Sequence, residues 1–382
     1  MNIFRESFAA SGMALRHEAR RLTRDPRILT RIESLARQLD RPLPQVTRDA
    51  ESRLNEMVTV QSATHRYLWD KALGPAHTRA FTVDADQAAL SRLKKLNKQY
   101  PLVILPSHRS YADPFIMAKT IVEHGLKRTH ILGGDNLKFF PFAPIVRGSG
   151  GVFIRRRFGD DEIYKAMVQE YLSHLLAEGE NIEWYMEGGR SRTGKLRPPK
   201  YGLLNYLVQA IKNGAARDVM LVPTSITYDQ LHEVRAMAQQ EISGFKPKEG
   251  LSWLLEYVRG QQKWIGEVHI RFGETISLAQ RIRAAGEDTE LNRYLVEKTA
   301  FEVFRQINAA TPVTAQALLT LALLAADRAL TLNALYQQLQ HFLEYARARS
   351  LPTSQLEPLR HHHGVMDTLE TLVGTQVVDR FE

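Results

Sequence analysis

The sequence predicts an α/β protein with a mostly parallel central sheet covered by helices and with helical N-terminal and C-terminal regions. Three observations lead there. Between about residues 81 and 277, short β-branched runs alternate with segments whose apolar residues recur at helical spacing, as when helices cross over a parallel sheet. Before residue 80 and after residue 278 only the helical spacing remains. With 382 residues, 44% of them hydrophobic and 24% charged, the chain is long enough to bury a sizeable core. The expected organisation is a basic helical region over 1–80, an α/β core over 81–277 and a helical region over 278–382.

In the first region Ala14 to Thr23, Ile28 to Leu39 and Ser52 to Leu73 read as helices, separated by Asp25-Pro26, Arg41-Pro42-Leu43-Pro44 and Gly74-Pro75. Their basic amphipathic surface suits either a membrane or packing onto the next region. In the core, helices are expected at Ala88 to Lys98, Phe115 to His124, Asp161 to Ala177 and Leu203 to Lys212. Strands are expected at Leu102 to Leu105, His130 to Leu132, Val152 to Ile154, Ile182 to Met186, Val219 to Tyr228 and Val268 to Phe272. Pro223 lies inside one of these and has no N–H, so that strand is expected at an edge or with a bulge. The last region reads as helices over Leu291 to Ala309, Ala315 to Leu330, Leu332 to Arg349 and Met366 to Leu372.

Composition excludes several chemistries. There is no cysteine, which removes disulfides, thiolate zinc sites and cysteine nucleophiles. No His-Glu-x-x-His or Gly-x-Ser-x-Gly motif occurs, and the adjacent His361-His362-His363 point different ways. The net charge of +9 suits a nucleic acid, an anionic membrane surface or acidic small molecules. A membrane span needs about 20 apolar residues in a row; the nearest run, Ala315 to Ala326, contains Gln316 and Thr320. The opening Met1-Asn2-Ile3-Phe4-Arg5-Glu6 carries charges where a secretory leader would be apolar.

Four stretches carry chemistry. In Pro106-Ser107-His108-Arg109-Ser110-Tyr111-Ala112-Asp113-Pro114, a strand hands over to a helix opened by an acid and a proline. Were both residues in one helix, His108 and Asp113 would lie about 140° apart. If the helix starts at Asp113, His108 folds back onto the carboxylate as an oriented general base; the alternative is a plain helix cap beside a loop histidine. Glu187-Gly188-Gly189-Arg190-Ser191-Arg192-Thr193-Gly194-Lys195 follows a strand with glycines, hydroxyls and three cations, either an anion cradle or a solvated charged loop. Its Gly189-x-x-x-x-Gly194-Lys195 spacing is no nucleotide P-loop, because Leu196 stands where Ser or Thr must bind magnesium. Gly151-Val152-Phe153-Ile154-Arg155-Arg156-Arg157 ends a strand in arginines, offering a second phosphate contact or simply facing water. The fourth is Leu221-Val222-Pro223-Thr224-Ser225, with no role evident from chemistry alone.

Taken together and in chain order, the four resemble the blocks of the glycerolipid acyltransferases. His108 and Asp113 match the His-x-x-x-x-Asp block, and Phe153-Ile154-Arg155 the Phe-x-Arg block. Glu187, Gly188, Arg190, Ser191 and Arg192 match the Glu-Gly-x-Arg-Ser-Arg block, and Val222-Pro223 the Val-Pro block. The wording from Glu187 to Gly194 is most similar to bacterial membrane-associated glycerol-3-phosphate acyltransferases. Lys246-Pro247-Lys248-Glu249 and Pro312-Val313-Thr314 also resemble those enzymes and the dihydroxyacetone-phosphate acyltransferases.

The resemblance implies transfer of a fatty acyl group from acyl-CoA or acyl carrier protein to the sn-1 hydroxyl of glycerol 3-phosphate, the first step of phospholipid synthesis. Under it His108 is the general base and Asp113 its orienting partner. Arg155, Arg190 and Arg192 clamp the acceptor phosphate, with Ser191 and the Gly188-Gly189 backbone as further donors and Pro223 beside the substrate. Glu187 takes a glycerol hydroxyl, and Arg109 and Lys195 face the phosphates of CoA or the acidic carrier. No metal or cofactor is implied beyond the thioester co-substrate. Phe139-Phe140-Pro141-Phe142-Ala143-Pro144-Ile145-Val146 is expected to dip into lipid, line the acyl groove or be buried in the core. The expected setting is peripheral, on the cytoplasmic face of an anionic membrane, with no nucleic-acid partner. Two alternatives stand beside it: a dihydroxyacetone-phosphate or lysophospholipid acceptor, and a basic membrane- or nucleic-acid-binding module.

Overall fold

The computed structural model describes residues 2–135, 138, 142–231, 257–260, 262–286, 294–374 and 378–380, with side chains from residue 12 onward. Three helices open the chain: α1 (Asn2–Thr23), α2 (Pro26–Gln38) and α3 (Leu43–Met57). Two short helices, α4 (Ala63–Leu68) and α5 (Gly74–Thr78), flank a π-helical turn at Trp69–Leu73. The alternating region runs β1 (Phe81–Ala85), α6 (Gln87–Leu96), β2 (Leu102–Pro106), α7 (Asp113–Glu123), β3 (Thr129–Gly134), α8 (Phe142–Gly148) and β4 (Gly151–Ile154). It continues through α9 (Glu162–Ala177), β5 (Asn181–Glu183), α10 (Gly202–Lys212), β6 (Met220–Tyr228), β7 (Gly266–Phe272) and β8 (Ile276–Ser277). Helices α11 (Leu278–Ala285), α12 (Leu295–Ala310), α13 (Ala315–Leu324), α14 (Leu332–Ala348) and α15 (His362–Gly374) follow, with the two-residue strands β9 (Val313–Thr314) and β10 (Thr353–Ser354).

The sheet order is β1-β7-β6-β2-β5-β3-β4, with β8 also on β6; all pairings are parallel except β6 with β7 and with β8. β2 is buried along its whole length, as a continuous apolar run in a two-faced sheet requires. Its side chains alternate: Val103 and Leu105 enter a core shared with α9 and α10, whereas Leu102 and Ile104 meet α6 and α7 on the opposite face. The carboxyl ends of β2, β3, β4, β5 and β6 therefore lie along one edge.

Several expectations are corrected. β6 is an interior strand, and Pro223 is tolerated because of a break in its neighbour. Its carbonyl accepts from Gly273 N at 2.9 Å, between β7 and β8, so the missing N–H on the same side faces that interruption. The Ser52 to Leu73 helix breaks after Met57, where Val60 N and Ser62 N bond the carbonyls of Arg147 and Gly148 instead. β1 was missed because it is only five residues long and alternates Thr82 and Asp84 with its apolar positions. The basic N-terminal helices bury Leu15, Ile28, Ile32, Val46 and Leu54 in the same core as the sheet, so their apolar face packs against protein. Helices α13, α14 and α15 form a separate small core around Leu319, Leu339 and Val365. No helix among the described residues is long and apolar enough to cross a membrane.

Candidate active site

The site forms where β2 hands over to α7. Asp113 opens that helix, but its carboxylate turns back onto the preceding loop: Oδ2 accepts from His108 Nδ1 at 2.8 Å, Arg109 N at 2.7 Å and Ser110 N at 3.0 Å. It is thus a loop organiser rather than a cap of its own helix. The Tyr228 hydroxyl, at the end of β6, donates to Oδ1 at 2.5 Å. Asp113 is completely buried, and a buried carboxylate keeps its charge only with such a set of donors. His108 lies at the rim, its ring 4.2 Å from that of Tyr185. With Nδ1–H committed to Asp113, Nε2 carries the lone pair.

Glu187 fixes the loop from the other side. One carboxylate oxygen accepts His108 N at 2.8 Å and the other Arg197 N at 2.8 Å, and the residue is 2% exposed. It is a brace between two loops, with both oxygens engaged, and lies outside the wall of the cavity beside the dyad. Ser191 is likewise internal, with N donating to His108 O at 2.9 Å and Oγ to Lys195 O at 2.5 Å.

A cavity of about 730 Å³ opens beside the dyad. Its polar part carries His108, Gly188, Gly189, Arg190 and Lys200, with Arg155 and Arg156 also in the wall. The Arg190 guanidinium lies 3.5 Å over the Tyr111 ring. Another part of the wall is aromatic, where Phe115 stacks between Trp69 (4.5 Å) and His77 (3.9 Å), with Phe142, Val146 and Phe153 alongside. Burial pushes the His77 imidazole down to about 4, so it is a neutral ring here. Of the apolar segment expected to contact acyl chains or lipid, Phe142 and Val146 line this cavity from α8, whereas Phe139, Phe140 and Pro141 lie outside the described residues. Lys246 to Glu249 lie outside them too.

The structure thus brings His108, Asp113, Gly188, Gly189 and Arg190 together and separates others from them. Arg155 lines the cavity, but Glu56 on α3 grips its fork at 2.6 and 2.9 Å and Asp161 takes Nη1 at 2.9 Å. The hydrogen bonds it donates to these carboxylates hold the guanidinium further into its charged form, and the expected phosphate clamp is already occupied. Arg109 is turned inward, 3.7 Å from Glu187. Arg192 and Lys195 are exposed and outside the cavity wall, and Pro223 is buried in the sheet.

Two site residues escaped the sequence reading. Tyr228 stands at the carboxyl end of its strand, the edge where ligands gather in such sheets, and that position was its signal. Tyr228→Phe is expected to lower kcat about tenfold, the worth of one hydrogen bond to a charged group. It should leave acceptor KM unchanged, because Tyr228 touches the carboxylate and lies outside the cavity wall. Tyr185 lies two residues after Glu183, just beyond the end of β5. Its hydroxyl donates to Glu183 Oε1 at 3.0 Å, and Thr129 Oγ1 donates to Oε2 at 3.1 Å.

Desolvation pushes the fully buried Glu183 carboxyl from its usual 4.5 up to about 8, with nearby Asp113 adding to the rise. Below the lower value both folded and unfolded chains hold this proton. Above it only the folded chain does, so Glu183 makes stability fall as pH climbs from about 4.5 through about 8. Urea unfolding across that range should show a flatter profile for Glu183→Gln than for wild type.

Among the described residues, one group has the spacing for a metal, Asp84 with Glu267 and His269. These atoms are already engaged: Arg271 and Ser354 bond Asp84, Gln355 bonds Glu267, and Asp229 takes His269 Nε2 at 3.1 Å. The group lies outside the cavity wall.

Comparison with known proteins finds two matching family models. Residues 88–227 match the family model described as Acyltransferase, and residues 240–382 match the glycerol-3-phosphate acyltransferase C-terminal region. The chain therefore carries an acyltransferase domain followed by the glycerol-3-phosphate acyltransferase C-terminal region. Curated proteins named putative acyltransferase plsB1, from Mycobacterium bovis and Mycobacterium tuberculosis, are 34% identical to it over 352 residues. The match takes in 92% of this chain but 56% of each relative, so the chain spans little more than half their length. Among solved structures, the 1-acyl-sn-glycerophosphate acyltransferase PlsC of Thermotoga maritima aligns over 65% of this chain and 83% of its own. With 16% identity and a TM-score of 0.37, it adds nothing to the fold described above.

Proposed function

We propose that this chain transfers a fatty acyl group from a thioester, acyl-CoA or acyl carrier protein, to the sn-1 hydroxyl of glycerol 3-phosphate, forming lysophosphatidic acid. The observation that carries it is the buried-carboxylate–histidine pair at the rim of a cavity with cations in one part of its wall and stacked aromatics in another. His108 Nε2 takes the proton of the acceptor hydroxyl, and Asp113 stabilises the resulting imidazolium. The acceptor oxygen attacks the thioester carbonyl, the C–S bond breaks as the tetrahedral adduct collapses, and the thiolate leaves with the proton from His108. No enzyme nucleophile is required. Arg190 and the Gly188-Gly189 backbone face the acceptor phosphate, and the Trp69–Phe115–His77 wall receives the acyl chain. The net charge of +9 favours a peripheral position at the cytoplasmic face of an anionic membrane.

The test is product formation from radiolabelled glycerol 3-phosphate with palmitoyl-CoA and, separately, palmitoyl carrier protein. Dihydroxyacetone phosphate and a lysophospholipid are included as competing acceptors. Labelled lysophosphatidic acid with either donor supports the reading. Turnover of only a competing acceptor would replace the acceptor assignment, and silence with all of them would remove the enzymatic one.

A further inference from the structure

The polar wall of the cavity contains a cation that none of the four sequence blocks supplies. Residue 200 is reached through Pro198-Pro199, whose fixed φ values give a stiff approach, and Lys200 N bonds Met186 O at 2.7 Å just beyond β5. That bond and the Glu187–Arg197 contact close the loop from 187 to 200, returning its end to its beginning. The aliphatic stem of Lys200 then passes across Gly188. A Cβ built there would lie 3.1 Å from Lys200 Cγ, and Gly188 has φ +64°, a backbone conformation that favours glycine. The side chain lines the cavity beside Gly188, Gly189 and Arg190. Among the described residues Lys200 forms no ion pair, in contrast to Arg155, whose fork is held by Glu56 and Asp161.

We propose that Lys200 is a substrate-phosphate ligand, the second cation acting with Arg190 where Arg155 is already engaged. The inference rests on the acyl-transfer reading for the identity of the phosphate, which is that of the acceptor or of the thioester carrier; both offer the same anionic oxygens to an ammonium.

Initial rates of full-length wild type, Lys200→Gln, Lys200→Arg and the surface control Lys98→Gln separate these sources. Each is measured with varied glycerol 3-phosphate at saturating palmitoyl-CoA, and then the reverse. For Lys200→Gln an acceptor KM raised tenfold or more, with kcat within twofold and partial recovery in Lys200→Arg, assigns the acceptor phosphate. A rise confined to the donor KM assigns the carrier's phosphate. Unchanged values for both overturn the inference while leaving the acyl-transfer reading standing. If wild type transfers no acyl group, that reading fails separately, and binding is then read with inorganic phosphate. Phosphate should raise the melting midpoint of wild type and of Lys98→Gln but not of Lys200→Gln; an equal rise in all three overturns the inference.

Discussion

His108→Ala is expected to lower acyl transfer by about 10²–10⁴-fold, the usual contribution of a positioned general base. The fold should survive. His108 is at the cavity rim, and Asp113 keeps Arg109 N, Ser110 N and Tyr228 as donors after the ring is gone, so its buried charge is not orphaned. The loop backbone is also retained, because Glu187 grips the amide of residue 108 and not its side chain. Turnover measured beside the melting midpoint decides the matter. An unchanged midpoint with turnover lost places the role in proton transfer, and full turnover would remove His108 from the mechanism.

Glu187→Ala is expected to act through stability. Two backbone N–H groups, on His108 and Arg197, lose charged acceptors at a site that is nearly closed to water. Each such loss costs about 1–3 kcal/mol, so unfolding in urea should show about 2–6 kcal/mol of destabilisation. Activity falls with it, since the loop that presents His108 loosens. Glu187→Gln keeps one good acceptor and should lie between wild type and alanine. If Glu187 instead held a glycerol hydroxyl, the alanine variant would keep its stability and show only a raised acceptor KM.

The strands β2 through β7 and the helices α6, α7, α9 and α10 were legible because buried strands and their covering helices leave distinct periodicities, whereas α8 was not, its short run being punctuated by Pro141 and Pro144. β2 shows why: Leu102-Val103-Ile104-Leu105 is apolar on both faces and nothing else fits it. The dyad was legible too, since an acid and a proline at a helix start bring a residue five positions earlier within reach. What the sequence could not show was occupancy. Arg155 and Glu187 carry the expected residue types at the expected spacing, yet their partners come from Glu56, Asp161 and the amide of Arg197. Glu56 is 99 positions from Arg155, and no local pattern marks such a pair. Lys200 stayed hidden for the converse reason: its place beside Gly188 depends on how a long loop closes.

The grip of Glu56 on Arg155 ties α3 to the cavity wall. An anion that binds the Arg155 guanidinium must share or displace those carboxylates, and the work of doing so is drawn from the seating of α3. Thermodynamic reciprocity then applies: whatever tightens α3 on the sheet weakens anion binding at Arg155 by the same factor, and an anion bound there loosens α3. The N-terminal helices are therefore a linked variable of this site, and shortening them would alter ligand affinity as well as the core.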